Sequence, residues 1–306
     1  ILACRFAFDY PLGQSIYMGI FHGVSAFCNA GFDVMGRLTG PFSSFTSYVR
    51  DPVVSLTVCA LIVTGGIGFP VIQELYRYRK TYRLSLHAKL VLKVTAALII
   101  LGTAAIFLFE YNNPATMRPL GLGGKILSAL FQSITPRTAG FSTLNIGAMR
   151  LGTLFLLIML MFIGASPSST GGGIKTTTFG VLLATVIATI RGYEEVEIGK
   201  RRLPKDLIFK ALTIAVLALA LVITVALILT FTEKATFIQI LFEVTSAFGT
   251  VGLSTGITPN LTDPARILII LTMFIGRLGP LTVAVALAQR RRSGRVEYIE
   301  DRVMIG

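Results

Sequence analysis

Charge is scarce in this sequence. Only 14% of the 306 residues are Asp, Glu, Lys or Arg, and the mean hydropathy is +0.75. A soluble domain of this length needs far more charge on its surface, so that class is excluded. Histidine and cysteine are scarcer still. Two histidines, His22 and His87, are too few for a zinc site. Three cysteines, Cys4, Cys28 and Cys59, show neither paired nor metal-like spacing. No constellation of His, Asp or Cys in the apolar stretches offers a nucleophile–base pair or a metal site, which argues against an intramembrane enzyme. The sequence opens at Ile1 in apolar residues, with no initiator Met and no signal peptide, so a preceding portion of chain is expected.

What fills the sequence instead is apolar runs. Residues 53–73, 85–109, 207–231 and 265–289 each hold enough apolar residues to cross a hydrocarbon core, which takes about 20 helical residues. A further pair, 151–165 and 176–190, is split, and each half is too short to span comfortably alone. The net charge of +13 suggests nucleic acid at first sight, but its distribution argues against that partner. Seventeen of the 28 basic residues fall in three clusters: Arg77 to Lys93, Arg191 to Lys210, and the tail with Arg290, Arg291, Arg292, Arg295 and Arg302. They follow every second apolar block, as cytoplasmic loops do under the positive-inside rule. With all three clusters inside, the inside carries 17 basic and 8 acidic residues, against 9 and 7 outside, with Lys175 and Arg277 in the membrane. The tail, and hence the C-terminus, is expected to be cytoplasmic.

The sequence also repeats itself. Ser25-Ala26-Phe27-Cys28-Asn29-Ala30-Gly31-Phe32-Asp33 aligns without gaps with Ile134-Thr135-Pro136-Arg137-Thr138-Ala139-Gly140-Phe141-Ser142 and with Ser246-Ala247-Phe248-Gly249-Thr250-Val251-Gly252-Leu253-Ser254. The central glycines are 109 and 112 residues apart. Each segment follows an amphipathic stretch of helical length, roughly 14–27, 123–134 and 236–248, too short to cross a bilayer and so expected to enter and leave on one side. The fold class expected is an all-α integral membrane protein built of membrane helix, pore helix, filter loop and membrane helix.

A loop at membrane depth is tolerated where protein buries it or where it lines a water-filled path. A glycine there lets backbone carbonyls turn toward an axis, because positive φ is accessible to it. Rings of such carbonyls replace a cation's hydration shell. The negative C-terminal end of each short helix points the same way and favours a cation. The candidate potassium site is therefore Asn29, Ala30, Gly31 and Phe32, with Thr138, Ala139, Gly140 and Phe141, and Thr250, Val251, Gly252 and Leu253, binding through backbone carbonyls only. Thr138-Ala139-Gly140-Phe141 and Thr250-Val251-Gly252-Leu253 echo the start of the potassium-channel Thr-Val-Gly-Tyr-Gly loop but lack its second glycine. The bland reading is that these are glycine turns in ordinary re-entrant loops. The alternative function is an ion-coupled secondary carrier with a midplane site between broken helices; carriers commonly show inverted repeats, whereas these share one orientation.

Residues 166–178 (Ser-Pro-Ser-Ser-Thr-Gly-Gly-Gly-Ile-Lys-Thr-Thr-Thr) interrupt the split block. Pro167 and the run Gly171, Gly172, Gly173 break a helix there. Beneath the filter, such a segment obstructs ions until it moves; a passive hinge is the rival. A phosphate-binding loop is disfavoured, because Ile174 separates Gly173 from Lys175 and a membrane helix precedes it. Arg277, inside the last apolar run, is either a fixed positive charge below the filter touching that segment or a cap on carbonyls freed where Gly279-Pro280 bends the helix. Lys175 has the same two readings. Arg137 and Glu243 are read as braces of the loops, His22 as a packing residue, and Phe32 and Phe141 as wedges behind the filter.

At Asn29-Ala30-Gly31-Phe32, Thr138-Ala139-Gly140-Phe141, Thr250-Val251-Gly252-Leu253, residues 166–178 and Arg277, the chain resembles the Trk/Ktr/HKT superfamily of potassium transporters, nearest to the membrane subunits of the bacterial Ktr branch. The resemblance covers essentially the whole chain. It implies potassium uptake through a channel-like pore, with sodium dependence common among such systems. It implies an intramembrane gating loop at 166–178, with Gly171, Gly172, Gly173, Lys175 and Arg277 as gate residues. Family members carry four pore units; three are expected here, at 1–84 (its outer helix mostly absent), 85–206 and 207–306, with the N-terminal unit missing. The partners implied are a second copy in the membrane and a cytoplasmic ring of nucleotide-binding regulatory subunits of RCK type. The location implied is the bacterial inner membrane. No cofactor besides potassium is expected in this chain, and it is expected not to be an enzyme.

Overall fold

The computed structural model describes residues 1–193, 195–199, 201–279 and 282, with the Thr81 side chain left aside. Twelve helices lie among them, and β1 (Glu197–Ile198) with β2 (Arg201–Arg202) form a two-residue hairpin, Glu197 opposite Arg202. Helices α1 (Leu2–Phe6), α2 (Leu12–Phe27) and α3 (Gly36–Thr39) open the chain, and α4 (Pro52–Gly66) and α5 (Phe69–Thr81) come after them. Then come α6 (Leu86–Glu110), α7 (Leu122–Ile134), α8 (Leu151–Ile163), α9 (Thr176–Ile190), α10 (Lys205–Thr232), α11 (Phe237–Phe248) and α12 (Asp263–Leu278).

Two of these are long and apolar enough to cross a membrane, α6 and α10, and they match the apolar runs 85–109 and 207–231. Helix α6 starts where the Ser85 hydroxyl accepts from the Ala88 N–H at 3.1 Å, satisfying one of the four free donors of a helix N-terminus. Their outward residues stay open: Leu101 is 68% exposed and Phe231 84%. Apolar side chains exposed along a helix of that length suit a hydrocarbon surround.

The run 53–73 is not the single straight span expected. Helix α4, capped by the Asp51 carboxylate on Val53 N and Val54 N, stops at Gly66, and α5 leaves at 101° to it. Gly68 between them sits at φ 92°, and Pro70 cannot extend the α4 ladder. Composition reads straight through this break because both sides are apolar. Helix α12 likewise ends at Gly279, φ 91°. The rest of the run 265–289, with Pro280 and the basic tail, lies outside the described residues apart from Thr282, as does Lys200 of the second basic cluster.

The three short helices α2, α7 and α11 fall within two residues of the stretches expected for them. Each packs on helices of its own segment, α2 on α4, α7 on α6, and α11 on α10 and α12. Each later one also packs on the preceding segment, α7 on α4 and α11 on α8. That order carries the three short helices around a common centre. Phe45, Phe131, Phe141, Phe242 and Phe248, all without exposed surface, fill the space between them. Burying each of these side chains contributes roughly 1.5–3 kcal/mol relative to exposure.

Candidate functional site

Three loops, one at the C-terminal end of each short helix, make the centre of the molecule. After α2, the Ala30 N–H returns to the Ser25 carbonyl at 2.9 Å; after α11, the Val251 N–H returns to Ser246 at 2.8 Å. After α7, Ala139 N–H goes to Thr135 at 2.9 Å. The chain then takes one backbone pattern three times. Asn29 (φ 49°) and Gly31 (72°) are left-handed, as are Thr138 (73°) and Gly140 (83°), and Thr250 (49°) and Gly252 (91°), while Ala30, Ala139 and Val251 between them are not. Left-handed backbone disfavours residues other than glycine, so Asn29, Thr138 and Thr250 are held there by their surroundings.

The glycines converge. A methyl group added at Gly31 would lie 2.5 Å from the Ala139 carbonyl oxygen, and one at Gly140 would lie 2.2 Å from the Val251 carbonyl oxygen. At Gly252 the nearest atom would be Gly140 Cα at 3.8 Å. The three loops are thus packed backbone to backbone with their carbonyl groups adjacent. Above them opens a cavity of about 760 Å³, lined by all three glycines with Asp33, Ser142 and Arg266. Among the described residues no group of three or more His, Cys, Asp or Glu could hold a metal ion.

Side chains fix the loops from behind. Ser25 Oγ donates to the Phe32 carbonyl at 2.7 Å and Thr135 Oγ1 to the Phe141 carbonyl at 2.6 Å, each closing its loop after the glycine. Sequence reasoning missed both, because the gapless repeat sets Ser25 opposite Ile134 and Thr135 opposite Ala26, so the two hydroxyls do not align. The Asn29 amide lies 3.3 Å from Thr138 Oγ1, with its nitrogen toward the Ala26 and Ile62 carbonyls, and so joins two loops. Glu243, buried, accepts from the Thr258 hydroxyl, and Arg137, 4% exposed, donates to Thr95 on α6 at 3.2 Å. His22 is fully buried among the rings of Phe6, Phe21, Phe45 and Phe141, with Val34 N–H donating to its Nε2 at 3.3 Å. Phe141 packs against Phe45 with ring centres 5.3 Å apart. Phe32 does not act as a wedge: it is 70% exposed, because no described element packs over that side of the first loop. Leu253 and Val251 are buried.

A second unread feature is Glu110, buried at the end of α6. Its carboxylate accepts from Asn113 Nδ2 and Thr116 Oγ1, both at 2.6 Å, from Arg150 N–H at 2.9 Å and from the Thr153 hydroxyl. A carboxylate with four donors is satisfied without a counter-charge. It ties α6 to the N-terminus of α8, the helix leading into the glycine-rich break.

That break runs beneath the three loops. Three successive residues each meet a different one of the three segments. Thr170 Oγ1 donates to Phe27 O at 3.3 Å and Gly65 O at 3.2 Å, in the first segment. A methyl at Gly171 would lie 2.1 Å from Thr138 Oγ1, in the second. A methyl at Gly172 would lie 2.6 Å from Thr250 Oγ1 and 2.7 Å from Gly249 O, in the third. No side chain larger than hydrogen fits at Gly171 and Gly172. Gly173 turns the chain back at φ 77°, and Ala165 N–H to Gly172 O (3.2 Å) and Thr176 N–H to Ala165 O (3.0 Å) close the segment's neck. Two cations hold its tip: Lys175 Nζ donates to Gly171 O at 2.6 Å, and Arg277 Nη1 donates to Thr170 O. Arg277 is otherwise exposed, so it reaches in from the rim rather than from a sealed interior.

A family model described as TrkH, cation transport protein, matches residues 10–298. Among curated relatives, "Ktr system potassium uptake protein B" of Bacillus subtilis is 42% identical over all of this chain and 67% of its own length. The protein of the same name from Vibrio alginolyticus is 40% identical over all of this chain and 66% of its own. "Potassium/sodium uptake protein NtpJ" of Enterococcus hirae is 36% identical over all of this chain and 67% of its own. The solved structure of the potassium transporter TrkH from Vibrio parahaemolyticus matches 94% of this chain and 60% of its own, at a TM-score of 0.71 and 18% identity, a likeness of fold. The chain spans about two thirds of the length of these curated relatives.

Proposed function

From the premise that the chain belongs to the TrkH family of cation transport proteins, transporters and not enzymes, we propose that it is the translocating part of a potassium uptake system whose ions pass through a channel-like pore. The observation carrying this reading is the threefold backbone pattern, positive φ at Asn29 and Gly31, at Thr138 and Gly140, and at Thr250 and Gly252, brought to one centre. A carrier that alternates around a side-chain site has no need of three equal carbonyl-bearing loops. Residues 29–32, 138–141 and 250–253 are the potassium ligands in this reading, through carbonyls. Residues 1–84, 85–206 and 207–306 are three pore units.

The segment 166–178 is the gate, with Gly171, Gly172, Gly173, Lys175 and Arg277 as its working residues. It obstructs the path below the loops and opens by leaving them. A gate needs two arrangements of similar energy, shifted by a partner that binds one better. The relatives named for a "Ktr system" carry a component letter, which supports a multi-part assembly. We take the partners to be a second copy of the chain and a cytoplasmic ring of nucleotide-binding subunits meeting the basic segment 191–205. The membrane is a bacterial cell membrane with the basic clusters inside, and sodium dependence belongs to the same reading, as the Enterococcus relative's name suggests.

The test uses the complete protein. Gly252→Ser should raise sodium uptake relative to potassium and weaken potassium affinity, because a side chain at φ 91° distorts the carbonyls beside it. Unchanged selectivity and affinity in a variant that inserts normally would remove the filter role. Shortening Thr170–Lys175 should raise potassium flux and reduce its dependence on the regulator; an assembled variant with unaltered flux and response would leave the segment a passive hinge.

A further inference from the structure

Helix α5 has an amphipathic design that the pore does not use. One face is inward: Val71 is fully buried with Ile67, Ala88 and Val91. The other is open and mixes aromatic with cationic groups. Tyr76 is 82% exposed and Phe69 57%, and Arg79, Lys80 and, just past the helix, Arg83 are exposed. Among the described residues no acidic side chain pairs with these three cations.

Its position is set by its neighbours. The Glu74 carboxylate accepts from Ser85 N–H at 2.9 Å and from Ser85 Oγ at 2.8 Å, and Ser85 is the N-cap of α6. Helix α6 has 25 residues, about 37 Å at 1.5 Å per residue. That exceeds a hydrocarbon core of about 30 Å, so its N-cap stands at the headgroup boundary. The middle of α5 therefore lies at that depth. The 101° bend from α4 turns α5 out of the crossing direction and toward the membrane plane. A helix in the interface with aromatic and basic residues on its open face matches surface-lying amphipathic elements.

The N-terminal end of α5 also touches the glycine-rich segment. Phe69 N–H donates to Ser168 O at 3.1 Å, Ser166 N–H to Gly66 O at 3.0 Å, and Thr170 N–H to Gly65 O at 3.4 Å. The bend and the segment 166–170 form one hydrogen-bonded unit. We propose that α5 binds anionic phospholipid of the cytoplasmic leaflet, Arg79, Lys80 and Arg83 meeting lipid phosphates while Tyr76 sits in the interface, and that the bend at Gly65–Phe69 passes this contact to the segment 166–170. The transmission to flux rests on the gate reading above; the lipid contact does not.

Two measurements on the complete protein test this. The first is Tyr76→Trp, compared with its parent, in vesicles whose lipids carry bromine either near the glycerol or deep in the chain. The added fluorescence should be quenched chiefly by the shallow bromines. Quenching by neither, or only by the deep ones, overturns the proposal, and so does loss of quenching only when a cytoplasmic protein ring is added, since α5 would then be a protein-docking face. The second measurement uses vesicles of phosphatidylcholine with rising phosphatidylglycerol. Potassium flux of the wild type should change several-fold with the anionic fraction, and Arg79→Gln/Lys80→Gln/Arg83→Gln should abolish that dependence while keeping the pure phosphatidylcholine rate. Anionic-lipid retention by the variant should fall roughly 100-fold, each basic residue near the surface contributing about a factor of five. A variant with the wild-type dependence overturns the proposal. Shallow quenching and lipid retention without any effect on flux would sustain the lipid contact and overturn the link to the gate.

Discussion

In the loop around Gly140, Thr138, Ala139 and Phe141 have no exposed surface, whereas in the loop around Gly31 the matching Phe32 is 70% exposed and Ala30 is half-buried. The two backbones nonetheless share the same sequence of φ signs. The second loop lies between the first and the third, while the first touches a described neighbour on one side only. The difference separates two causes. The backbone turn is common to all three loops, however much of each is covered. The packing of the side chains is supplied by whichever segments stand beside the loop.

The glycines give the largest expected effect. In the complete protein, Gly140→Ala should abolish potassium uptake and reduce assembled protein, because the added methyl meets a backbone oxygen at 2.2 Å at a positive φ. Gly31→Ala should come next and Gly252→Ala should be mildest, its nearest atom lying at 3.8 Å. Equal losses at Gly140 and Gly252, measured by uptake and by the yield of monodisperse protein, would erase the distinction between a flanked and an open loop.

The phenylalanines give the next effect. Phe141→Ala should cost about 3–5 kcal/mol of stability, read by thermal unfolding in detergent. Phe32→Ala should stay within about 0.5 kcal/mol. A Phe32→Ala loss as large as that of Phe141→Ala would mean that another part of the complete protein covers the first loop. The smallest contrast between the two loops is expected of the hydroxyl clamps. Thr135→Val leaves the buried Phe141 carbonyl without its 2.6 Å donor and should cost about 1–3 kcal/mol. Ser25→Ala should cost less, about 1 kcal/mol, since water can reach the Phe32 carbonyl beside an exposed ring. Comparable costs for the two would show that the loops are held alike despite their surroundings.

Much of this architecture is legible in the residues. The long apolar runs of α6 and α10 and the three short amphipathic stretches announce themselves by length, and the gapless repeat aligns the three glycines. The break between α4 and α5 is marked by Gly65, Gly66, Gly68 and Pro70, but apolar length alone runs straight through it. The Glu110 network is hidden for another reason. Its donors, Asn113, Thr116, Arg150 N–H and Thr153, are up to 43 residues away, and nothing in local composition sets a buried carboxylate apart from one in water. The hydroxyl clamps are hidden because they fall at different positions of the repeat, Ser25 opposite Ile134 and Thr135 opposite Ala26. In sequence the open face of α5 shows only topology-determining charge, since its aromatic residues acquire meaning once the helix is known to bend.

The three loops are copies, but what lies under them is not. Thr170, Gly171 and Gly172 are consecutive residues of one covalent segment, and each meets a different one of the three repeated segments. In a pore closed by identical parts, each part can leave by itself, and the recording shows partial conductance levels and several dwell times. A stopper with no copies has a single barrier to cross. Single-pore recordings of the complete protein should therefore show one open level and a closed-time distribution fitted by one dominant exponential. Glycine-to-alanine changes at Gly171 or Gly172 should shift that one time constant without adding intermediate levels.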